Sequence, residues 1–308
     1  SSSIRWSNER MPELPDITLY IEALQQRILG KRLERTRVLS PFLLRSVDPP
    51  IDAAQGAHVV AFERLGKRIA IGFDNDIWLV LHLMIAGRLQ WREDWPAKFP
   101  RLIALALGFE SGTLVLTEAG TKKRASLHVA RGREGLGAHQ PGGLELDRAS
   151  AAEFEAALKR GNHTLKRALT DPRLISGVGN AYSDEILHRA RLSPVTLTSR
   201  LTSEESARLF AATREVLAAW LERLRDKAHG SFPSKVTAFH DEMAVHGKYG
   251  KPCPVCKTKV QRIRYADNET NYCPRCQTNG RLLADRSLSR LLKKDWPKSI
   301  DELEQLRP

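Results

Sequence analysis

The stretch Met11-Pro12-Glu13-Leu14-Pro15-Asp16 contains the residue types needed for attack by a nitrogen nucleophile. If trimming removed the methionine, Pro12 would carry a free secondary amine beside the carboxylate of Glu13. An α-amino group has a pKa near ~8 and a lysine near ~10.4, so the neutral nucleophile is more abundant at a chain terminus. The sequence begins at Ser1, and while the preceding residues stay attached the Pro12 nitrogen cannot attack. We therefore expect residues 1–11 to be a leader or extension that is absent from the mature protein.

All four cysteines of the chain lie in two Cys-x-x-Cys pairs, Cys253 with Cys256 and Cys273 with Cys276. Four thiolates at this spacing make a closed tetrahedral zinc site without a position for a catalytic water. The pattern predicts one structural Zn²⁺, whose binding folds a segment with little core of its own. A redox role for one Cys-x-x-Cys pair is the alternative. The absence of cysteines elsewhere is typical of a reducing compartment.

Residues 175–187, Ile-Ser-Gly-Val-Gly-Asn-Ala-Tyr-Ser-Asp-Glu-Ile-Leu, form a glycine turn that opens into a helix. The turn follows a helical segment and lacks a third glycine, which argues against a dinucleotide-binding fingerprint. Backbone N–H groups at a helix N-terminus, followed by the amide of Asn180, are suited to holding a phosphate. A plain tight turn is the alternative.

Composition indicates a globular protein with a polyanionic partner. The 308 residues are 42% apolar, which allows about two domains with their own cores. Forty-nine Lys and Arg against 36 Asp and Glu give a formal net charge of +13, which favours nucleic acid, although a basic surface alone is the alternative. The apolar stretches are too short to span a bilayer, and residues 1–10 lack the apolar segment of a secretory signal.

A helix is predicted directly after the Pro12-Glu13 pair, from Pro15 to a stop at Gly30. Its apolar residues recur at helical spacing and are Ile17, Ile21, Leu24 and Ile28. The N-terminal end of this helix, with its partial positive charge, points back toward Pro12 and Glu13.

From residue 33 to about 129 the pattern changes to short apolar or alternating runs, at 59–62, 68–73, 77–84, 88–91, 102–108 and 113–117. Turn residues at 74–76 and 110–112 separate them, which predicts antiparallel pairing in a sandwich or a partly open barrel. Arg64-Leu65-Gly66-Lys67-Arg68 is a basic turn that leads into one strand, with a solvated loop as the alternative.

Helices dominate after a segment rich in Gly, Pro and short polar residues at 131–147. Ser150 with Glu153, Thr164, and Thr202 with Glu205 are predicted helix caps. Between the cysteine pairs, residues 260–265 and 270–272 are predicted strands of a basic hairpin. The tail, residues 287–308, begins with a basic helical pattern that includes Leu288, Leu291 and Leu292.

Four separated motifs, in this order, resemble those of the formamidopyrimidine-DNA glycosylase and endonuclease VIII family. They are Pro-Glu-Leu-Pro from Pro12, Leu-Gly-Lys before His-Leu-x-x-x-Gly, the glycine turn at 175–187, and the hairpin that ends Cys-Pro-Arg-Cys-Gln. The resemblance covers roughly residues 12–277. It implies an α+β fold, with an N-terminal antiparallel β-sandwich flanked by helices. A C-terminal helix–two-turns–helix domain would carry a four-Cys zinc-finger β-hairpin, with DNA in the cleft between the two.

The resemblance also implies residue roles. Pro12 would attack C1′ of a damaged nucleoside and form a Schiff base that permits β- and then δ-elimination. Glu13 would protonate the sugar ring oxygen. Lys67 would contact a phosphate near the lesion and assist catalysis, and Lys166 and Asn180 would hold phosphates on either side of the flipped nucleotide.

Three departures from the family pattern affect the reading of DNA. Asn268 replaces the hairpin arginine, so a charge-assisted phosphate contact becomes at best a neutral hydrogen bond. Ile85 stands at the position of the wedge methionine and is still apolar. The family's loop opposite the orphaned base is replaced by a segment in which Lys122, Lys123 or Arg124 would reach into the helix.

The motifs, together with the domain order that the resemblance implies, divide the chain into six segments. These are the leader or extension 1–11, a catalytic β-sandwich domain 12–131, a linker 132–149, a helix–two-turns–helix DNA-binding domain 150–240, a zinc-finger hairpin 241–280 and a basic tail 281–308.

The function that the resemblance implies is a base-excision-repair DNA glycosylase with abasic-site lyase activity, which removes oxidised bases by attack of an N-terminal proline on C1′. Its partner would be double-stranded DNA containing damaged or abasic sites. We expect a monomer with no membrane partner, in the bacterial cytoplasm and associated with the nucleoid. A non-catalytic damaged-DNA-binding protein of the same fold is one alternative, and a zinc-dependent protein associated with RNA or the ribosome is another.

Overall fold

The computed structural model describes residues 11–119, 122–233, 236–265, 268–284 and 297–305. The chain divides into two compact units. Unit 1 runs through Pro141 and includes Ala219–Ala238, and unit 2 comprises Gly142–Ala218 and the described residues from Phe239 onward. In the described residues no helix is long and apolar enough to cross a membrane.

Unit 1 contains the first helix, α1 (Leu14–Ile28), and two antiparallel four-stranded sheets. The strands are β1 (Leu33–Val38), β2 (Val59–Leu65), β3 (Arg68–Phe73), β4 (Ile77–His82), β5 (Gly87–Arg92), β6 (Ile103–Phe109), β7 (Gly112–Glu118) and β8 (Ser126–Arg131). The first sheet has the order β1-β6-β7-β5 and the second sheet has the order β2-β3-β4-β8. A 3₁₀ turn covers Ile51–Ala54. The predicted antiparallel sandwich is confirmed.

One hydrophobic core joins the two sheets and α1. Side chains alternate along each strand, so Ile69 and Ile71 of β3 face this core together with Leu79 and Leu81 of β4. The predicted apolar stripe of α1 packs into the same core, and Gly30 follows the helix with a positive φ. The sandwich therefore fixes the start of α1, where Pro12 and Glu13 lie.

Two strands and one helix of unit 1 lie outside the predicted runs. In β1 one residue of six is buried, so its sequence shows little apolar alternation and only pairing with β6 defines it. The strand β8 is short and interrupted by polar residues, and it pairs with β4. A short helix, α2 (Gly132–Gly137), lies in the predicted linker because Leu136 is buried against the second sheet.

Unit 2 is mainly helical. Its helices are α3 (Ala151–Leu158), α4 (Leu165–Thr170), α5 (Asn180–Ala190), most of the long α6 (Ser203–Ala228), α7 (Pro274–Thr278) and α8 (Ile300–Gln305), with a 3₁₀ turn at Thr198–Arg200. The predicted caps are confirmed: Ser150 and Glu153 form a capping box, Thr164 caps α4, and Thr202 accepts from the Glu205 N–H at 3.1 Å.

The zinc-finger hairpin consists of β9 (Gln261–Tyr265) and β10 (Asn268–Tyr272). Its second strand begins two residues earlier than predicted, because Asn268 and Glu269 pair with Tyr265 and Arg264. The predicted helical pattern at Leu288, Leu291 and Leu292 lies outside the described residues. With the sandwich, the helical region and the cysteine hairpin, the predicted α+β fold class is confirmed.

Candidate functional site

Pro12 and Glu13 are buried at the N-terminal end of α1. Glu13 is 3% exposed, and its backbone N–H donates to the Asp16 carboxylate at 2.8 Å, as in a capping box. The helix begins at Leu14 with Pro15 in its first turn. This arrangement holds the backbone beside Pro12 in one conformation and leaves Glu13 at the positive end of the helix.

Asp16 is a buried carboxyl that sequence reasoning treated only as a helix start. Burial raises the pKa of Asp16 to about 7, and the nearby charge of Glu13 adds to the rise, whereas the Glu13 N–H and Arg88 oppose it. Asp16 therefore stays largely protonated below about pH 7. An acidic residue three positions after a cap carries no sequence signal that separates this role from ordinary capping.

Lys67 lies in the two-residue turn between β2 and β3, where Leu65 pairs with Arg68. Gly66 has a φ of 64°, a conformation that favours glycine and makes this tight turn. The predicted basic turn into a strand is confirmed. The phosphate contact of Lys67 stays a prediction.

Ile85 lies in the turn between β4 and β5 and is 42% exposed, as one of several exposed large apolar side chains in the described part of this unit. The carbonyl of Ile85 accepts from Nη1 of Arg88 at 2.8 Å, so the turn has an internal hydrogen bond. Met84 beside it has a positive φ of 52°. An exposed apolar side chain in a hydrogen-bonded turn fits the predicted wedge, a role that stays a prediction.

The loop between β7 and β8, which contains Lys122, Lys123 and Arg124, is anchored by hydrogen bonds to Glu118. The buried Glu118 carboxylate accepts from the backbone N–H groups of Arg124 at 2.6 Å and Ala125 at 2.8 Å. The Lys123 ammonium donates to the Glu118 carbonyl, while Lys122 and Arg124 are exposed. Of the three predicted DNA contacts, Lys122 and Arg124 thus have the accessible side chains.

In unit 2, Lys166 and Asn180 are brought together at the start of α5. The Lys166 ammonium is largely buried and donates to the Asn180 carbonyl and to the Asp184 carboxylate, both at 2.6 Å. The Asn180 amide donates to the Glu269 carbonyl of β10 at 3.1 Å. Lys166 is therefore positioned to order the glycine turn, and its predicted phosphate contact stays a prediction.

Asp184 is fully buried and joins three segments of unit 2. Besides Lys166 it accepts from Nδ1 of His246 at 2.7 Å and from the backbone N–H of Asn271 at 3.1 Å. Burial alone would raise the pKa of Asp184, but the Lys166 ammonium and His246 hold it below its ordinary value. The next residue, Glu185, accepts three backbone N–H groups from residues 244–246. The motif contained both acids, but their partners in the C-terminal part are about 60 or more residues away in sequence.

The four cysteines form a metal site. Their sulfur atoms all lie within 4.8 Å of one another, with 3.9 Å between Cys253 and Cys276 and 3.3 Å between Cys256 and Cys273. Tetrahedral Zn–S bonds of about 2.3 Å require sulfur separations of about 3.8 Å, so the cluster fits one Zn²⁺. Four thiolates close the coordination sphere, and the metal is structural. Nε2 of His188 lies 3.3 Å from the Cys253 sulfur and ties the cluster to α5.

The side chain of Asn268 lies outside the described residues. Arg262 and Arg264 of β9 both contact the carboxylate of Glu269 on β10, each at 3.3 Å. Both arginines lie on β9, two residues apart, and Arg264 pairs directly with Glu269 of β10. Each of these two arginines therefore has an acidic partner within the hairpin.

Three family models match successive parts of the chain. They are the formamidopyrimidine-DNA glycosylase N-terminal domain at residues 11–123, the H2TH domain of the same enzyme at 143–229, and a zinc finger found in FPG and IleRS at 250–279.

Individual relatives match over most of their length. The chain is 34% identical to the formamidopyrimidine-DNA glycosylase of Thermus thermophilus, over 88% of this chain and 100% of that protein. The corresponding protein of Heliobacterium modesticaldum is 30% identical, over 87% of this chain and 100% of that protein. The crystal structure of the MutM (Fpg) protein from Thermus thermophilus matches with a TM-score of 0.72 at 32% identity, over 86% of this chain and 98% of that chain. Lactococcus lactis Fpg with abasic-site DNA, at 23% identity, shares the fold with a TM-score of 0.76, over 86% and 99%.

Proposed function

Because the chain belongs to the formamidopyrimidine-DNA glycosylase family, we propose that it is a base-excision-repair DNA glycosylase with abasic-site lyase activity. Its substrate is double-stranded DNA that contains damaged or abasic sites. The observation that carries the proposal is the Pro12-Glu13 pair, buried at the head of α1 and held there by Asp16. The net charge of +13 supports a DNA partner.

In the proposed first step the Pro12 nitrogen attacks C1′ of the damaged nucleoside. The glycosidic bond breaks, and the base leaves with the bonding electron pair and takes up a proton. Glu13 donates a proton to the ring oxygen, the bond between C1′ and that oxygen opens, and a Schiff base joins Pro12 to C1′.

The Schiff base makes the C2′ proton acidic. Removal of that proton expels the 3′ phosphate, and a second elimination expels the 5′ phosphate. Lys67 holds a phosphate near the lesion, and Asn180, ordered by Lys166, holds another. Ile85 fills the stack left by the flipped nucleotide.

Borohydride trapping on abasic duplex tests the nucleophile. Two matched chains are compared, one that begins at Pro12 and one that retains residues 1–11. We expect a covalent protein–DNA adduct only with the chain that begins at Pro12, because the Pro12 nitrogen of the longer chain is in a peptide bond. Pro12→Gly in the shorter chain is expected to lose the adduct. No adduct with a free Pro12 would contradict the proposed mechanism.

A second candidate function is damaged-DNA binding without cleavage, which the replacement of the hairpin arginine by Asn268 favours. It predicts that the chain from the native host retains residues 1–11 and binds abasic duplex without strand scission. Intact-mass measurement of that protein, with a scission assay on the same sample, distinguishes the two functions.

A further inference from the structure

The second sheet carries a cluster of cationic and imidazole side chains on the face opposite the main core. Arg68 of β3 pairs with His82 of β4, and Val80 of β4 pairs with His128 of β8. Directly paired residues in an antiparallel sheet point to the same side, and so do residues two apart on one strand. Arg68, His82 and His128 therefore share the outer face.

His139, which follows α2, completes the group. Its ring lies 4.7 Å from the ring of His128, and its carbonyl accepts from Nη1 of Arg68 at 3.1 Å. We call Arg68, His82, His128 and His139 the outer-face cluster. All four are partly exposed, so a ligand can reach them from solvent.

The outer-face cluster has an excess of positive charge. Partial burial lowers the pKa of His82 to about 4, with Arg68, Lys67 and His128 adding to the effect. Burial also lowers the pKa of His128 and of His139, and Arg68 contributes to both. At neutral pH the imidazoles are therefore uncharged beside a guanidinium. A bound anion would favour the protonated, charged form of these imidazoles.

Within the described residues, no carboxylate of unit 1 is among the groups that change the pKa of these three histidines. Glu63 of β2 lies on the same face but is paired with Arg133 of α2. Nδ1 of His128 is buried and has no hydrogen-bond partner in the part of the chain that the structure describes. The cluster thus carries the positive charge of Arg68 without a neutralising acid, and one imidazole nitrogen of His128 lacks a partner in the described residues.

We propose that Arg68, His128 and His139 form a second phosphate-binding site, which takes a backbone phosphate of DNA beyond the one assigned to Lys67. This inference rests on the proposed function. The planar guanidinium of Arg68 donates paired hydrogen bonds to phosphate oxygens. The two imidazoles become protonated donors as the phosphate charge favours their charged form.

The salt dependence of DNA binding tests the role of Arg68. Each neutralised phosphate contributes about 0.9 to the slope of log K against log salt, so losing one contact removes about a 3.5-fold change in affinity between 50 and 200 mM salt. We expect Arg68→Gln to show this smaller slope on a duplex with a non-cleavable abasic analogue. Arg68→Lys, which keeps the charge, should retain most of the parent slope.

Arg37→Gln is the matched control, since Arg37 is an exposed arginine of β1 in the first sheet. It removes one charge without touching the cluster and should keep the parent slope. Equal slopes in the parent, Arg68→Gln and Arg37→Gln would overturn the proposal, as would equal reductions in both variants.

Nuclear magnetic resonance titration of the histidine ring protons gives a readout independent of cleavage. We expect added duplex to raise the pKa of His128 and His139. A rise with inorganic phosphate but not with duplex would overturn the assignment to DNA, and no rise with either would overturn the site. A parent that binds no duplex contradicts the proposed function, and the inorganic phosphate titration then decides whether the cluster binds phosphate.

Discussion

Replacing Asp16 by asparagine is expected to make the free energy of unfolding of unit 1 less dependent on pH. In the folded chain burial raises the pKa of Asp16 from 3.8 to about 7. Asparagine cannot ionise, and its side-chain carbonyl can still accept the hydrogen bond from the Glu13 N–H. The substitution therefore removes the titration while keeping the contact that positions Glu13.

Proton linkage gives the sign and size of the effect of Asp16 on the free energy of unfolding. Between pH 3.8 and about 7 the folded Asp16 keeps a proton that the unfolded chain has lost, so stability falls as pH rises through this window. Each pH unit corresponds to about 1.4 kcal/mol, which gives a loss on the order of 4 kcal/mol by pH 7. Above pH 7 the loss is constant. Asp16→Asn should avoid it, so its advantage over the parent grows from near zero at pH 4.

Urea unfolding at pH 5, 6, 7 and 8, followed by tryptophan fluorescence, measures this difference. Four of the six tryptophans lie in described parts of unit 1, at Trp78, Trp91, Trp95 and Trp220. The matched control is Asp226→Asn, which changes an exposed carboxylate on α6 and should follow the parent at every pH. An advantage of Asp16→Asn that is the same at pH 5 and pH 8 would refute a raised pKa for Asp16.

Two further predictions concern unit 2. Removing zinc with a strong chelator should unfold residues 250–279, because metal binding contributes about 10–16 kcal/mol in small zinc modules; proteolysis of the hairpin checks this, and the tryptophan signal of unit 1 should not change. Asp184→Asn leaves the Lys166 ammonium largely buried without its carboxylate, which should cost about 3–5 kcal/mol in urea unfolding of unit 2. The isosteric control Asn162→Asp changes charge at a more exposed position of the same unit and should cost far less.

Local signals in the sequence were sufficient for much of the fold. The helix caps at Ser150 and Thr202 are formed by residues three apart, and the zinc ligands follow from two short spacings. The helix α1 followed from apolar periodicity and a glycine stop. In each case the atoms that interact lie within a few positions along the chain, where pattern reasoning is strongest.

The parts that could not be predicted depend on register and on distant contacts. Strand β1 is held by pairing with β6, about 70 residues away, and carries almost no apolar pattern. The outer-face cluster exists because Arg68 and His128 point to one side of the second sheet, which only the register reveals. The raised pKa of Asp16 reflects complete burial by side chains that the local sequence does not specify.

The hydrogen bonds that anchor the β7–β8 loop at Glu118 have a consequence for protein engineering. The Glu118 carboxylate accepts from the backbone N–H groups of residues 124 and 125, so this attachment of the loop depends on few of its side chains. Exchange of residues 119–122, which leaves Glu118, Lys123, Arg124 and Ala125 in place, is therefore expected to keep these two hydrogen bonds and the one that Lys123 donates. Libraries built between Glu118 and Lys123 would alter what the loop contacts while its attachment to β7 and β8 stays constant.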